Sequence, residues 1–156
     1  MNNPEKEKDE RRYFIDVRWY QEKGRSFAFI ARSRMCQGCQ RRVGKEETEV
    51  RVPVVDETSG KVVFEMRKIP YGEDPFTTIG TCCAKKQDFI SVRWPLLEAI
   101  FRIFLANANQ PLTADGVCQR LKEWMAHQDV RRDLSTAVIE RLLENDTYYG
   151  IRPFVV

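Results

Sequence analysis

Four of the chain's five cysteines stand in two close pairs. Two residues separate Cys36 from Cys39, and Cys82 is followed directly by Cys83. A thiolate is a soft metal ligand, and two such pairs on opposite sides of a small β unit can supply the four sulfur atoms of a tetrahedral zinc site. Gly38 eases a tight turn within the first pair. The sequence therefore predicts a Zn²⁺ site formed by both pairs.

Because Cys82 and Cys83 are adjacent, a second set of metal ligands is an alternative. Neighbouring residues on a strand point to opposite faces, so Cys82 and Cys83 bind one ion together only where the chain turns. If only one of them binds, His127, a carboxylate or water must complete the shell. His127 is the only histidine and follows a predicted helix. Cys118 lies on the apolar face of that helix and is interpreted as a small buried hydrophobe.

Thiol redox chemistry is the competing interpretation of the cysteines. In a thioredoxin-like enzyme, CxxC lies between a strand and a helix N-terminus within an α/β pattern. This chain has no alternating βαβ pattern, and the stretch "CQGCQRR" does not resemble the start of a helix. A strained disulfide between Cys82 and Cys83 is a further redox alternative. Metal binding is favoured over both.

Other catalytic chemistry has little support in the sequence. One histidine leaves little room for acid–base catalysis, and neither a phosphate-binding glycine loop nor a Ser-His-Asp set is present. We therefore predict a protein that is not an enzyme. An odd number of cysteines and the lack of a secretory signal favour a reducing cytoplasm. With no apolar run of about 20 residues, no membrane partner is predicted.

Positive charge is concentrated around the first cysteine pair. The net charge is only +3, but residues 24–45 contain six cations and no acid, whereas residues 94–156 contain seven cations and eight acids. Such a cluster attracts nucleic-acid phosphates, although cations beside thiolates also neutralise a zinc site. Two arginines in a later connection join the set. The predicted nucleic-acid-binding residues are Arg25, Arg32, Arg34, Arg41, Arg42, Lys45, Arg131 and Arg132.

Residues 13–90 are predicted to form a small β-rich unit that follows a charged tail over residues 1–12. "YFIDVRWYQ" alternates as a strand does, and Ser26 is placed to cap a short helix, although a second strand leading into the first cysteine pair is an open alternative. "EVRVPVV" and "KVVFEMRKI" flank "DETSG", which has the composition of a hairpin turn. Pro53 within the first of these runs predicts an edge strand.

In residues 91–156 the apolar residues recur with the spacing of a helix. Leu97, Ile100, Phe101, Phe104 and Leu105 form one apolar stripe behind a proline suited to a first helical turn. Two further helices are predicted to begin after N-caps at residues 113 and 135. The chain then closes with the β-like segment "TYYGIRPFVV". Residues 101 and 121 are predicted to lie in the core.

Three helices followed by "TYYGIRPFVV" resemble a winged-helix domain, and the cysteine-bracketed β unit resembles a zinc ribbon. The predicted fold class is therefore α+β, with a zinc-ribbon-like unit followed by a winged-helix-like domain. The resemblance implies that the helix over residues 136–144 enters the DNA major groove. It also implies that Tyr148, Tyr149 and Arg152 form the wing. Transcription machinery commonly joins these two modules.

The acidic residues of the third predicted helix favour a protein partner as an alternative to DNA. Glu140 and Glu144 outnumber the single Arg141, whereas groove entry calls for cations near phosphates. The sequence therefore predicts a zinc-binding, nucleic-acid-binding or transcription-associated protein. The alternatives are an adaptor with a purely structural zinc, which contacts a protein through the C-terminal domain, and a thiol-redox protein.

Overall fold

The computed structural model describes residues 11–130 and 132–155. Within them the chain is mixed α+β, with seven α-helices, one short 3-10 helix and five strands in two small sheets. None of these helices is long and apolar enough to cross a lipid bilayer. In chain order the elements are β1 (Arg12–Ile15), α1 (Val17–Glu22), α2 (Phe27–Arg32), α3 (Gln37–Arg42), β2 (Glu47–Val55), β3 (Val62–Pro70), α4 (Pro75–Thr81), the 3-10 helix (Cys83–Lys85), α5 (Leu96–Ala106), β4 (Leu112–Thr113), α6 (Ala114–Trp124), α7 (Thr136–Glu144) and β5 (Ile151–Pro153).

The first strand is shorter than the alternating pattern predicts. β1 ends at Ile15, because the side chain of Asp16 accepts a hydrogen bond from the backbone N–H of Arg18 and caps helix α1. Predicting a strand through residue 21 was therefore wrong. The strand also begins at Arg12, inside the predicted tail. Residues 1–10 of that tail lie outside the described part of the chain.

β1 is the central strand of a three-stranded antiparallel sheet in the order β4-β1-β5. Tyr13 pairs with Leu112 on one side and with Pro153 on the other. Asn109 extends the pairing, since its side chain accepts from the N–H of Ile15 at 2.8 Å and donates to the same residue's carbonyl at 2.9 Å. The strand nearest the N-terminus thus holds together two strands from the C-terminal third.

The helices of the C-terminal third begin where the sequence predicts. The side chain of Thr113 accepts from the N–H of Gly116 and caps α6, and that of Ser135 accepts from the N–H of Val138 and caps α7. In the apolar stripe of α5, Leu97 is half-buried and the other four residues are buried; the predicted core residues Phe101 and Leu121 are both 0% exposed. Propensity, caps and apolar period all agree here, which is why the prediction is confirmed.

One core spans both regions that the sequence distinguishes. Buried side chains from residues 13–90 and from residues 91–156 belong to a single apolar cluster. Gly150 shows how closely they approach: at φ +70°, a Cβ on this residue would lie only 2.9 Å from the Trp19 ring and 2.7 Å from the Tyr20 ring. Strand β1, from the first region, lies between β4 and β5 of the second, so one sheet joins the two regions.

The second sheet is the hairpin β2–β3. Its register is continuous from Glu47 opposite Pro70 to Val55 opposite Val62. Pro53 lies on a strand with one free edge in the described sheet, as predicted. Most side chains of β3 are exposed. The hairpin contributes little to the core, in contrast to the β unit that the sequence predicts.

Candidate metal centre

The two cysteine pairs lie at the ends of short helices. Cys36 immediately precedes α3 and Cys39 lies in its first turn, while Cys82 follows α4 and Cys83 opens the 3-10 helix. The pairs therefore do not sit in the hairpin turns of a zinc ribbon. The expectation that no helix starts after Cys36 was wrong, since Gln37–Arg42 is helical.

All four predicted ligands converge. The sulfur atoms of Cys36, Cys39, Cys82 and Cys83 lie within 4.8 Å of one another, and those of Cys36 and Cys82 are 4.0 Å apart. Tetrahedral coordination with bonds of about 2.3 Å to zinc separates sulfur atoms by roughly 3.8 Å, so a small contraction suffices. Both adjacent cysteines take part because the backbone turns at Cys82, where φ is −129° and ψ is −70°.

Neighbouring groups orient the sulfur atoms. The backbone N–H of Cys36 donates to the Sγ of Cys83 at 3.2 Å, and the Tyr71 hydroxyl donates to the Sγ of Cys39 at 3.1 Å. The Arg42 guanidinium lies over the Tyr71 ring, 4.0 Å from its centroid. Such second-shell groups fix ligand geometry in metal sites. Because Tyr71 directly follows β3, it also connects the base of the hairpin to the cluster.

The thiols influence one another's ionisation. Burial opposes ionisation of Cys36, but hydrogen bonds from the Cys39 backbone and the neighbouring thiols lower its pKa to about 7. For Cys83, burial is the main cause that raises the pKa to about 12. The hydrogen bond with Cys39, followed by burial, raises the pKa of Cys82. One thiolate forms readily, whereas several adjacent thiolates need a bound cation to offset their charge.

The remaining cysteine and the histidine stay outside the cluster. Cys118 is 2% exposed and its thiol donates to the carbonyl of Leu134 at 2.7 Å. The prediction that it is a buried hydrophobe is confirmed. His127 is exposed and is not among the four clustered ligand residues. An all-cysteine shell needs no histidine, so the alternative ligand set is unnecessary.

A buried ion-pair network, which no sequence pattern predicted, lies beside the cluster. Arg34 binds Glu98 through two hydrogen bonds, Nε–Oε1 at 2.8 Å and Nη2–Oε2 at 2.9 Å. Arg102 donates to the same carboxylate at 3.1 Å and to the carbonyl of Phe89 at 3.1 Å. Burial would raise the pKa of Glu98, but its bonds with Arg34 and other donors lower it. The network connects the residues before Cys36 to helix α5.

Arg34 is therefore removed from the predicted nucleic-acid-binding set. Its side chain is only 14% exposed and is neutralised by Glu98. Arg25 donates to the carbonyl of Tyr148 at 2.7 Å and lies over that ring at 4.7 Å. Arg32 donates to the carbonyl of Gly72 at 3.2 Å. Contacts within the fold account for these three arginines.

The other predicted cations are more accessible. Arg41 and Lys45 are exposed, and Arg42 is exposed while bound to Glu46. Arg132 is exposed and donates to the backbone carbonyl of Trp94. Arg131 lies outside the described residues. Two exposed lysines that the predicted interface did not include, Lys85 and Lys86, follow the second cysteine pair. The cysteine contacts bring cations from both segments together.

A polar cleft of about 460 Å³ opens beside Cys36 and Cys83. Its lining includes Lys86 and Asp88, together with Arg34 and Arg102, whose charges are offset by the buried carboxylate of Glu98. Trp94, 36% exposed, forms part of the wall. The Arg102 guanidinium lies 4.1 Å from the centroid of that ring. The cleft therefore places Lys86 and a partly exposed tryptophan ring beside the cysteines.

The implied wing is partly buried. Tyr149 packs on Phe101 with ring centroids 5.0 Å apart, and its carbonyl accepts from the Tyr20 hydroxyl. Tyr148 is 56% exposed, and Arg152 is also exposed. The side chain of Asp146 organises the preceding turn by accepting from the N–H groups of residues 148, 149 and 151. This arrangement explains why Tyr149 points toward the core.

Comparison of the chain with protein-family models, with curated proteins and with solved structures finds no match. Functional inference therefore rests on the site itself. Its two relevant features are the four convergent sulfur atoms and the exposed cations on the segments that carry them.

Proposed function

We propose that this chain is a zinc-binding, non-enzymatic protein that binds nucleic acid, with a task in transcription or a related process. The observation that carries this proposal is the set of exposed cations, Arg41, Lys45, Lys85 and Lys86, on the two chain segments that meet at the four-cysteine cluster. Zinc holds the two cysteine segments together, and the surface around them contacts phosphates. Free, closely spaced thiols suit a reducing cytoplasm, which we propose as the location.

Zinc is the ion that best fits the donor set. Four thiolates in near-tetrahedral contact are the shell of a structural zinc site, and no position is left for a reacting water. The all-sulfur shell disfavours hard ions such as magnesium and calcium, which prefer oxygen ligands. Elemental analysis of the purified chain is expected to give about one zinc per chain. Iron in its place, or no metal, would contradict the assignment.

The proposed nucleic-acid interface differs from the original set. It keeps Arg41, Lys45 and Arg132, which are exposed, and adds Lys85 and Lys86. Trp94 offers a face on which a base can stack, and stacking suits single-stranded ligands of varied sequence. Cations near phosphates make binding depend steeply on salt. We therefore expect single-stranded DNA or RNA to bind more tightly than duplex.

Fluorescence polarisation with labelled oligonucleotides tests this interface. Lys86→Glu is expected to weaken binding about tenfold at low salt. The slope of log affinity against log salt concentration should fall by an amount that corresponds to roughly one phosphate contact. Lys61→Glu is the matched control, because Lys61 is exposed at the turn of the hairpin. That turn lies about 30 Å along the nine-residue strands from the hairpin base. Equal effects of the two variants, or affinity indifferent to salt, would refute the proposal.

An adaptor function is the second candidate, favoured by the C-terminal surface. Tyr148 and Val155 are 56% and 85% exposed, and Phe154 is 41% exposed. Helix α7 carries Glu140 and Glu144 close to them in the chain. Exposed apolar residues beside acids suit a basic protein partner. A complex that survives nuclease and high salt, and that is lost with Tyr148→Ala but retained with Lys86→Glu, would favour the adaptor.

A further inference from the structure

The hairpin β2–β3 exposes large apolar side chains. Val62, Phe64 and Met66 of β3 are 60%, 55% and 61% exposed. The two strands pack chiefly against each other. A two-stranded hairpin is marginally stable in water, and stable sheets have three or more strands or pack against a helix. The hairpin therefore has the properties of a sheet that another strand completes.

The ends of the ladder establish which backbone groups point outward. The N–H of Asp56 donates to the carbonyl of Lys61 at 2.9 Å, and the N–H of Tyr71 donates to the carbonyl of Glu46 at 2.8 Å. Hydrogen-bonded and non-hydrogen-bonded pairs alternate along an antiparallel ladder. With the continuous register between these ends, the odd-numbered residues of β2 and the even-numbered residues of β3 direct their backbone groups to the free edges.

Proline makes the two free edges unequal. Pro53 occupies an outward position in the body of β2, so this edge lacks one amide hydrogen where a neighbouring strand would bind. On β3 the only proline is Pro70, at the end of the strand. An uninterrupted edge is a template for another strand. The outward amides of β3 are those of Val62, Phe64, Met66 and Lys68.

We propose that β3 pairs antiparallel with β3 of a second copy of this chain, so that two hairpins form one four-stranded sheet. Charge determines the register. When Met66 lies opposite its own copy, Glu65 lies opposite Arg67 of the second copy, and the reciprocal pair forms by symmetry. Registers centred on Glu65 or on Arg67 instead place like charges opposite each other.

The same register suits the other side chains of β3. Phe64 lies opposite Lys68 of the second copy, which places an ammonium group beside an aromatic ring. Val63 lies opposite Ile69 of the second copy, so that two β-branched apolar residues meet on the other face. Glu65 and Arg67 lie near each other within the strand, 3.8 Å apart, and both are exposed. They are therefore free to reorient toward the second copy.

Sedimentation velocity across a concentration series of the full chain tests the proposal, and the wild type is expected to dimerise. In the proposed register the Met66 amide of each copy donates to the other copy, so Met66→Pro removes two hydrogen bonds from the dimer. The variant is expected to raise the dimer dissociation constant at least about tenfold. Glu49→Pro is the matched control, because Glu49 is opposite Lys68 and directs its amide to the edge of β2. A monomeric wild type, or equal effects of the two prolines, would overturn the proposal.

Charge exchange tests the register without inserting proline. Glu65→Arg alone and Arg67→Glu alone each place like charges opposite each other, and are each expected to weaken the dimer about tenfold. The double variant restores opposite charges and is expected to recover wild-type dimerisation. Failure of the double variant to recover would overturn the register. Zinc content measured in parallel separates this result from the proposed function, since neither residue contacts the cysteines.

Discussion

The hairpin and helix α5 both contain many apolar residues but bury them very differently. Phe101 of α5 is 0% exposed, whereas Phe64 of β3 is 55% exposed. Burial of apolar area stabilises α5 directly, while the hairpin is fastened at its base, where Tyr71 donates to the sulfur of Cys39. The body of the protein is therefore held by apolar packing, whereas the hairpin contacts the cysteine cluster at its base.

Loss of metal binding at the cysteine cluster should affect the hairpin far more than the body of the protein. Cys39→Ser is expected to abolish zinc binding and to release the hairpin base, since structural zinc contributes on the order of 10 kcal/mol in small zinc domains. Hydrogen exchange should accelerate around residues 36–39, 71 and 82–83 while α5 and α7 stay protected. Cys118→Ser is the control, because that thiol lies outside the cluster. Uniform exchange across the chain would show that the hairpin and body are one cooperative unit.

Breaking the buried ion-pair network should have the next largest effect. Glu98→Gln leaves Arg34 and Arg102 without a counter-charge and is expected to cost about 3–5 kcal/mol in the free energy of unfolding, measured with urea. Glu46→Gln is the control, because the Arg42–Glu46 pair is on the surface and should give no resolvable change. If both variants unfold at the wild-type urea concentration, the network does not tie the cysteine segment to α5.

The same network predicts acid sensitivity. The pKa of Glu98 is lowered from its ordinary value of 4.5 in the folded chain, so the unfolded chain binds its proton more readily. The stability that this carboxylate contributes is therefore fully present above pH 4.5 and declines as pH falls toward the folded pKa. Urea titrations between neutral pH and about pH 3 should show a steeper loss in the wild type than in Glu98→Gln. Parallel curves would contradict the prediction.

The same substitution can be made in the body and in the hairpin, and its cost in stability compared between them. Val117→Ala in α6 removes two methyl groups from a side chain that is 0% exposed, and is expected to cost about 2 kcal/mol. Val55→Ala in β2 makes the same change on a side chain that is 62% exposed, and should change stability by less than about 0.5 kcal/mol. Thermal or urea unfolding measures both. Similar losses would mean that the hairpin is packed against something in solution.

The smallest expected effect concerns a helix cap. The Ser135 side chain accepts from the N–H of Val138 at the start of α7. Ser135→Ala should therefore cost about 1 kcal/mol. Ser135→Asp keeps an acceptor at the cap and is expected to retain most of the stability. Equal losses in the two variants would show that the hydrogen bond is not what matters at this position.

The sequence alone determined features that depend on neighbours along the chain. The helices of the C-terminal third, with caps at Thr113 and Ser135, follow from apolar period and capping chemistry. Ser26 likewise caps α2, as predicted. The hairpin follows from alternation around a turn. The cysteine ligand set also emerged from the sequence, because few other soft ligands were available.

Features that depend on contacts between distant parts of the chain could be read only from the folded protein. β1 is the centre of a sheet completed by residues roughly 100 to 140 positions later, and Asp16 ends it early. Arg34 belongs to a buried ion pair because Glu98 meets it across 64 residues. Residue type sets the charge and hydrogen-bonding capacity of a side chain, but the fold determines which partner that side chain contacts. The four sulfur atoms could be named in advance, while their convergence at helix ends required the folded chain.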